Sequence, residues 1–515
     1  MLSFENITVY EAFSRAANLY PSNKSLTYAD KSWTYQELEN SVNEFSGKFL
    51  NLGIKKGTHV GIWCDNEPNF VITILALSKI GAVAVLFNTS LHNKEMYKLV
   101  EFTDIEYLLI GDGYKDTDFR VEAERLIDSI YRLKMVVHIG ISGDSKGYTD
   151  LSNVAVVDFE TIDEARRSVD PNDCGYILFT SGTTSLTKAV CGSHFARANM
   201  GLCQGRDLRV TPEDRFCVTM PLFHCFCFSV NLMAALFYGA CLCIPKSRHV
   251  YDVLETVEKE HCTVLSSVPS LFHTIISKYD VTKYDVSSLR TGFIGGSNYS
   301  ASLFDDIEET LSMTLLSSLG QTEATAAVTT SSLDDSISVR STTVGHFIDN
   351  IEHKILSTGE ICIRGYNVMS GYYKDPESTR RVIDEDGWLH TGDAGLMTKD
   401  GNLVLAGRIK ELIIRAGENI SPLEIESVLY DDDRIIESKA VGVYDQHYGE
   451  EVALCVVKHP KSFVTENEIR ELLKANISDY KIPKYILFVE SLPKSSSGKI
   501  LTREVKRQAT ALLGL

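Results

Sequence analysis

Short, unbroken apolar runs recur along this chain and limit its fold more than any other feature. They lie at His59 to Cys64, Ala82 to Leu86, Ile105 to Ile110, Tyr176 to Phe179, Phe216 to Met220, Ala240 to Ile244, Val264 to Val268, Leu289 to Gly296 and Leu315 to Leu319. A strand that is apolar at every position is buried on both faces, and helices covering both sides of a parallel sheet bury it that way. Helical stretches alternate with the runs. Thr34-Tyr-Gln-Glu37 is a capping box followed by Leu38, Val42, Phe45 and Phe49 on one face, and a helix over roughly Asn69 to Ile80 is stopped by Gly81. From about Thr343 to Leu405 short strands are separated by Gly and Asp turns. Beyond Gly407-Arg-Ile-Lys410 lies an α+β segment of about 105 residues, a usual domain size. It has strands near Lys439–Val443 and Val452–Val457 and a helix opened by the capping box Thr465-Glu-Asn-Glu468. The expected class is α/β: a large N-terminal domain of two parallel-sheet α/β subdomains plus a small β-rich subdomain, residues 1–408, then a small α+β C-terminal lid, residues 409–515.

Length and charge narrow the function. At 515 residues the chain exceeds one domain on a prior of about 150 residues each. The balance of 51 basic and 69 acidic residues gives a net charge of −18, which argues against nucleic acid and anionic membranes as partners. The apolar run Phe226 to Ile244 is broken by Ser229, Asn231 and Gly239 and reads as buried helix plus strand, so no integral membrane segment is expected. The N-terminus lacks a basic and apolar leader. Twelve cysteines include Cys225/Cys227 and Cys241/Cys243, whose spacing and apolar setting suit small core residues of a reduced, cytoplasmic protein better than zinc ligands. The sequence leaves open whether the chain works alone or as a homodimer.

Just past the run ending at Phe179 the chain reads Thr180-Ser-Gly-Thr-Thr-Ser-Leu-Thr-Lys188. Hydroxyls, one Gly and a Lys supply converging donors and a point charge, the chemistry of holding a polyphosphate; an ordinary polar turn is the bland alternative. The P-loop pattern G-x-x-x-x-G-K-[ST] fails, because counting from Gly182 puts Thr187 where the second Gly belongs and Ala189 where the hydroxyl belongs. The stretch instead resembles the phosphate loop T-S-G-T-T-G-x-P-K-G of the adenylate-forming superfamily, which includes acyl-CoA synthetases, adenylation domains and firefly-type luciferases. Thr180, Ser181, Gly182, Thr183, Thr184, Lys188 and His194 agree, while Ser185, Thr187 and Ala189 depart.

Further matches follow in the family's order. Leu319-Gly320-Gln321-Thr322-Glu323 resembles Y-G-x-T-E, which implies that Thr322 meets the α-phosphate and Glu323 the Mg²⁺; Leu319 stands where the family usually stacks Tyr on adenine. Gly295-Gly296-Ser297 resembles a G-G-A strand end lying flat against adenine and the acyl chain. Trp388-Leu-His-Thr-Gly-Asp393 resembles W-x-x-T-G-D, implying ribose binding by Asp393, with Arg408 as a second contact and Lys410 as the hinge of the small domain. Gly417 matches the glycine that leaves room for the pantetheine arm of coenzyme A. Lys499, in Pro493-Lys-Ser-Ser-Ser-Gly-Lys499, matches the lysine reaching the carboxylate and α-phosphate, with Ser495 for Thr.

The resemblance covers essentially the whole chain and implies an ATP- and Mg²⁺-dependent ligase that joins a carboxylic acid to coenzyme A through acyl-AMP, releasing pyrophosphate. It implies Lys499, Thr322 and Glu323 as the catalytic set. Transfer to a carrier-protein phosphopantetheine and a non-catalytic nucleotide sensor are the alternatives. The acyl pocket is implied to involve His224, Phe226 and Ala324, with Cys225, Cys227, Ser229, Ser297 and Thr325 nearby. No charged residue occurs in that set, so an apolar medium-chain or aryl monocarboxylic acid is expected before a dicarboxylic or amino acid. Ser185 is also similar to carnitine-type CoA ligases, whose cationic acids aromatic faces could hold.

Overall fold

The apolar runs form the parallel centres of two sheets in the computed structural model, which describes residues 3–91, 93–142, 148–180, 188–297, 299–415, 418–494 and 500–515. The eight-stranded sheet runs Gly371–Tyr372, Ala189–Ser193, Cys174–Phe179, Val83–Leu86, His59–Trp63, Tyr107–Ile110, Met135–His138, Thr149–Asp150. The nine-stranded sheet runs His346–Phe347, Thr329–Thr330, Thr314–Leu319, Thr291–Ile294, Val264–Leu265, Arg215–Cys217, Cys241–Ile244, Lys24–Tyr28, Lys31–Thr34.

Residue alternation explains why these runs are apolar throughout. Val60 and Ile62 face a core shared between the two sheets, whereas Trp63 faces a separate core on the outer side; Ala84 and Leu86 divide from Val83 and Val85 in the same way. Helix Pro68–Ile80 lies in the shared core and is buried at every position except Asn69, so its sequence is largely apolar, with Thr73, Ser78 and Lys79 as buried exceptions. Gly81 ends it at φ 72°, a left-handed conformation that favours glycine.

The sheets are not parallel throughout, since three of their four edges are antiparallel, which refines the all-parallel expectation. Cys174–Phe179 pairs parallel with Val83–Leu86 but antiparallel with Ala189–Ser193, which in turn pairs antiparallel with Gly371–Tyr372. The link from 180 to 188 is too short for a crossover, which takes about a dozen residues, so the chain must turn straight back. The hydroxyl-rich stretch therefore connects a hairpin at the carboxyl end of a parallel strand.

A four-stranded antiparallel sheet follows, Ile351–Ile355, Glu360–Gly365, Leu389–Met397 and Leu403–Arg408. A turn, Ile409–Glu411, leads to Ile413–Arg415 in the last sheet, where the long hairpin Ile435–Asp445 and Gly449–Lys458 carries Tyr485–Phe488 alongside. The Thr34 and Thr465 capping boxes both form as read. The Phe226 to Ile244 run becomes a π-helical turn Cys227–Met233, a short helix Ala234–Tyr238, Gly239 at φ 79° and strand Cys241–Ile244. Among the described residues no helix is long and apolar enough to cross a membrane.

Candidate active site

The tips of the two sheets face one another across Tyr372. Thr180 N–H donates to Lys188 O at 3.0 Å and closes the mouth of the hydroxyl-rich link. Ser181, Gly182, Thr183 and Thr184, with Ser185 and Thr187, lie outside the described residues. Pairing of Val190 with Tyr372 sets that ring beside the link, and Lys188 Nζ stands 4.4 Å from its centroid. The Tyr372 hydroxyl donates to Glu323 Oε1 at 2.9 Å. Burial first, and then the Glu323 carboxylate, push the phenol well above its usual range. Tyr372 belongs to none of the sequence motifs; its pairing with a motif-bearing strand is what exposes its role.

Glu323 is placed by a tight turn. Strand Thr314–Leu319 ends at Gly320, where a Cβ would stand 1.5 Å from Ala326 O, so only glycine fits. Gln321 O accepts from Ala324 N at 3.1 Å and Ala326 N at 3.2 Å, shaping the turn Thr322–Ala324. The Thr322 hydroxyl donates to Cys225 Sγ at 3.6 Å, and Ala324 is fully buried. Leu319 packs against the core of the four-stranded sheet, near Ala324 and Ile361. One strand over, Gly295 and Gly296 follow Thr291–Ile294. A Cβ at 295 would stand 3.0 Å from Ser318 O, Gly296 has φ 85°, and Ser297 is exposed.

Asp393 and Arg408 face each other in register on adjacent strands, with Nε 2.8 Å from Oδ1. Arg408 Nη1 also donates to Thr391 O at 3.3 Å. Burial raises Asp393 against the pull of Arg408, with the negative charges of Glu323 and Glu411 adding to the rise and Lys410 opposing it, to about 6. Asp393 and Glu323 thus lie within electrostatic reach of each other. On the same sheet Glu360, Cys362 and His390 hold three possible metal-ligand atoms within 4.8 Å of one another, a grouping that period-two alternation and strand pairing create and no linear motif shows. Lys410 is exposed in the turn Ile409–Glu411; Gly417, Ser495 and Lys499 lie outside the described residues.

At the expected acyl pocket the His224 ring nitrogen Nδ1 accepts from Phe226 N at 3.3 Å and lies 3.9 Å from Cys225 Sγ. Burial pushes the Cys225 thiol up, but His224, the Thr322 hydroxyl and Arg197 outweigh it and bring it to about 7. His194, matched to the family's histidine, is a core residue: burial pushes it down to about 4, and its ring would meet a Cβ on Gly175. A charged side chain packs against this uncharged set. Arg197, fully buried on helix His194–Asp207, reaches Cys225 O and Ser229 Oγ. An arginine in the linear sequence reads as a solvated helix face, and only the packing of this helix against the π-helical turn reverses that.

Residues 13–373 match the model of the AMP-binding enzyme family and residues 424–499 that of the AMP-binding enzyme C-terminal domain. The chain belongs to the AMP-binding enzymes. A Bacillus subtilis protein named as an acyl-CoA synthetase is 32% identical over 539 residues, covering 99% of this chain and 98% of its own. A methyl-dioxo-octahydroindenyl propanoyl:CoA ligase of Rhodococcus jostii is 32% identical, covering 97% and 98%. The crystal structure of the anthranilate CoA ligase AuaEII in complex with anthranoyl-AMP shares the fold at TM-score 0.87 and 22% identity, over 100% of this chain and 99% of that one. Within its family the chain is an AMP-forming acid–CoA ligase of the acyl-CoA synthetase branch.

Proposed function

We propose that this ligase activates a carboxylic acid with an apolar medium-chain or aryl body, using ATP and Mg²⁺. A carboxylate oxygen of the acid attacks the α-phosphorus of ATP, the bond to pyrophosphate breaks, and acyl-AMP forms. The sulfur of coenzyme A then attacks the acyl carbon, AMP leaves, and the thiol proton is released. The substrate carboxylate is itself the nucleophile, so the protein's contribution is positioning and charge neutralisation.

Each role falls to a named residue. Lys499 and Thr322 meet the reacting carboxylate and α-phosphate. Thr180, Ser181, Gly182, Thr183, Thr184 and Lys188 hold the departing pyrophosphate. Asp393 and Arg408 take the ribose, Gly295, Gly296 and Ser297 lie along adenine with Leu319, Gly320 and Gln321, and His224, Phe226 and Ala324 border the acyl group. Glu323 suits Mg²⁺: it is a carboxylate at a strand end, one oxygen takes the Tyr372 hydrogen bond, and no cation side chain pairs with it among the described residues. When bound, the ion would neutralise phosphate charge. Residues 409–515 move about Lys410 as a unit, and Gly417 borders the path of the pantetheine arm.

The observation that carries this reading is the meeting of Lys188 and Glu323 on one tyrosine, within electrostatic reach of Asp393 and Arg408, at the carboxyl ends of parallel strands. Support for a bulky ring-bearing acid comes from the Rhodococcus relative, a ligase of a bicyclic propanoic acid. The test is pyrophosphate release and acyl-CoA formation over hexanoate, octanoate, benzoate, phenylpropionate, crotonobetaine and succinate. Turnover of an acid with an apolar body is expected. Turnover confined to crotonobetaine would favour the carnitine-type reading, and no release from any acid would overturn both.

A further inference from the structure

Arg197 is a buried cation with no counterion among the described residues, packed against Cys225 and Ser229 of the expected acyl pocket. It is fully buried, and the Tyr176 and Phe228 rings stand 4.2 and 4.5 Å from its guanidinium carbon. Nη1 is satisfied by Cys225 O at 3.3 Å and by Ser229 Oγ, whose own hydroxyl donates to Thr325 O at 2.9 Å. Nε and Nη2 are buried and have no hydrogen bond of normal geometry among the described residues, although the Tyr176 hydroxyl lies near the guanidinium, and no carboxylate there forms an ion pair with Arg197. Aromatic faces offset part of the desolvation of a cation, but they leave its N–H donors unmet.

The pattern of what is met and what is not is informative. Nε–H and the nearer Nη2–H project in parallel from one edge of a guanidinium, matching the two oxygens of a carboxylate. That edge is the unpartnered one. Ser229, which holds the opposite edge, sits on the π-helical turn Cys227–Met233, a rare distortion that concentrates at functional sites. Cys225 joins this edge to the reaction centre, since its carbonyl meets Arg197 and its sulfur meets Thr322.

We propose that Arg197 recognises a second carboxylate on the acid substrate, so that the enzyme activates a dicarboxylic acid whose apolar body spans from Thr322 to the free guanidinium edge. The inference rests on the acid–CoA ligase reading and specifies its substrate class. The reacting carboxylate lies at Thr322 and the other pairs with Arg197, away from bulk water, where such a pair is strongest. Cys225 touches both Thr322 and the Nη1 side of the same guanidinium, which keeps the two ends close and limits the length of the body.

The experiment compares adipate, suberate and a phenylene diacid with hexanoate, octanoate and phenylpropionate on the wild-type protein, R197M and R197K, by pyrophosphate release and by thermal stabilisation. Wild type is expected to prefer the diacids by about tenfold or more in kcat/KM. R197M should lower kcat/KM for the diacids by about 100-fold, mainly through KM, and erase the preference, as removal of one partner of a buried charge pair does. R197K, a point charge without the fork, should fall between and serves if R197M does not fold. A wild-type preference for monoacids, or equal losses for both acid types in the variants, would overturn the proposal. If no acid releases pyrophosphate, the catalytic reading fails instead, and the Arg197 proposal is then decided by stabilisation: diacid-specific and dependent on Arg197 supports it, and its absence sinks it.

Discussion

The Tyr372 hydroxyl donates a 2.9 Å hydrogen bond to Glu323 Oε1, tying the edge strand of one sheet to the tip of the other. The bond fixes the carboxylate proposed to hold Mg²⁺, and the same ring carries Lys188. Tyr372→Phe keeps the ring and its packing while removing the donor. A hydrogen bond to a charged group contributes about 1.5–3 kcal/mol, so the Mg²⁺ concentration for half-maximal adenylation should rise about tenfold to a hundredfold. Titration of Mg²⁺ at fixed ATP measures it. An unchanged Mg²⁺ dependence would show that Tyr372 only packs.

Much of this arrangement could be read from the chain. The capping boxes at Thr34 and Thr465 and the stop at Gly81 are local signals that need only neighbouring residues, and the structure forms all three. The Gly320 turn was legible as a motif, but its cause, the Ala326 carbonyl packed against it, was not. Tyr372 and Arg197 escaped because their partners are distant in sequence. Tyr372 acquires its place from an antiparallel edge pairing that a short link imposes, and Arg197 from packing against a π-helical turn whose sequence looks like any apolar helix. Leu403–Arg408 closes one sheet and Ile413–Arg415 joins the next.

Glu67 offers a test of stability against pH. It is 7% exposed, its Oε2 lacks a hydrogen-bond partner among the described residues, and Asp112 and Asp65 lie near it, with the Ile141 N–H and the Cys64 thiol helping the carboxylate. Burial, then Asp112 and Asp65, raise it from 4.5 to about 8. A folded value above the unfolded one means that its stabilising contribution is complete below about pH 4.5 and is lost as pH rises through 8. Glu67→Gln removes the titration. The Tm of E67Q relative to wild type should therefore climb between pH 5 and pH 9, with a gain of about 1–3 kcal/mol after local relaxation. A difference independent of pH would mean that Glu67 is ionised throughout.

Leu319 turns its side chain into the core of the four-stranded sheet. If it leaves adenine without an aromatic neighbour, Leu319→Tyr should lower the KM for ATP. Ring stacking is worth about 0.5–1.5 kcal/mol, so the fall is about twofold to tenfold. The kcat should stay close to wild type, because stacking binds ground and transition states alike. A KM for ATP that stays level or rises would show that another side chain already covers the base.

The turn Ile409–Glu411 and Leu412 are all that join the strand ending at Arg408 to the one beginning at Ile413. Among the described residues the C-terminal segment also leans on the larger one through few side-chain bonds, among them Ser421 Oγ to Ala406 O at 2.6 Å and Ser302 Oγ to Asp431 Oδ1 at 2.5 Å. So slender a connection suits a domain that rotates between two half-reactions, with exposed Lys410 absorbing the backbone change. Proline fixes φ near roughly −65°, close to the value of the 3₁₀ turn seen here, so Lys410→Pro should preserve this arrangement and forbid excursions from it. Lys410→Ala keeps the rotation free and controls for loss of the side chain. Pyrophosphate release should remain substantial in the proline variant, while thioester formation from supplied acyl-AMP slows about tenfold or more; both half-reactions should persist in the alanine variant. The opposite pattern, with adenylation lost and thioester formation kept, would mean that this arrangement belongs to the second half-reaction. Unimpaired rates in both would place the hinge elsewhere.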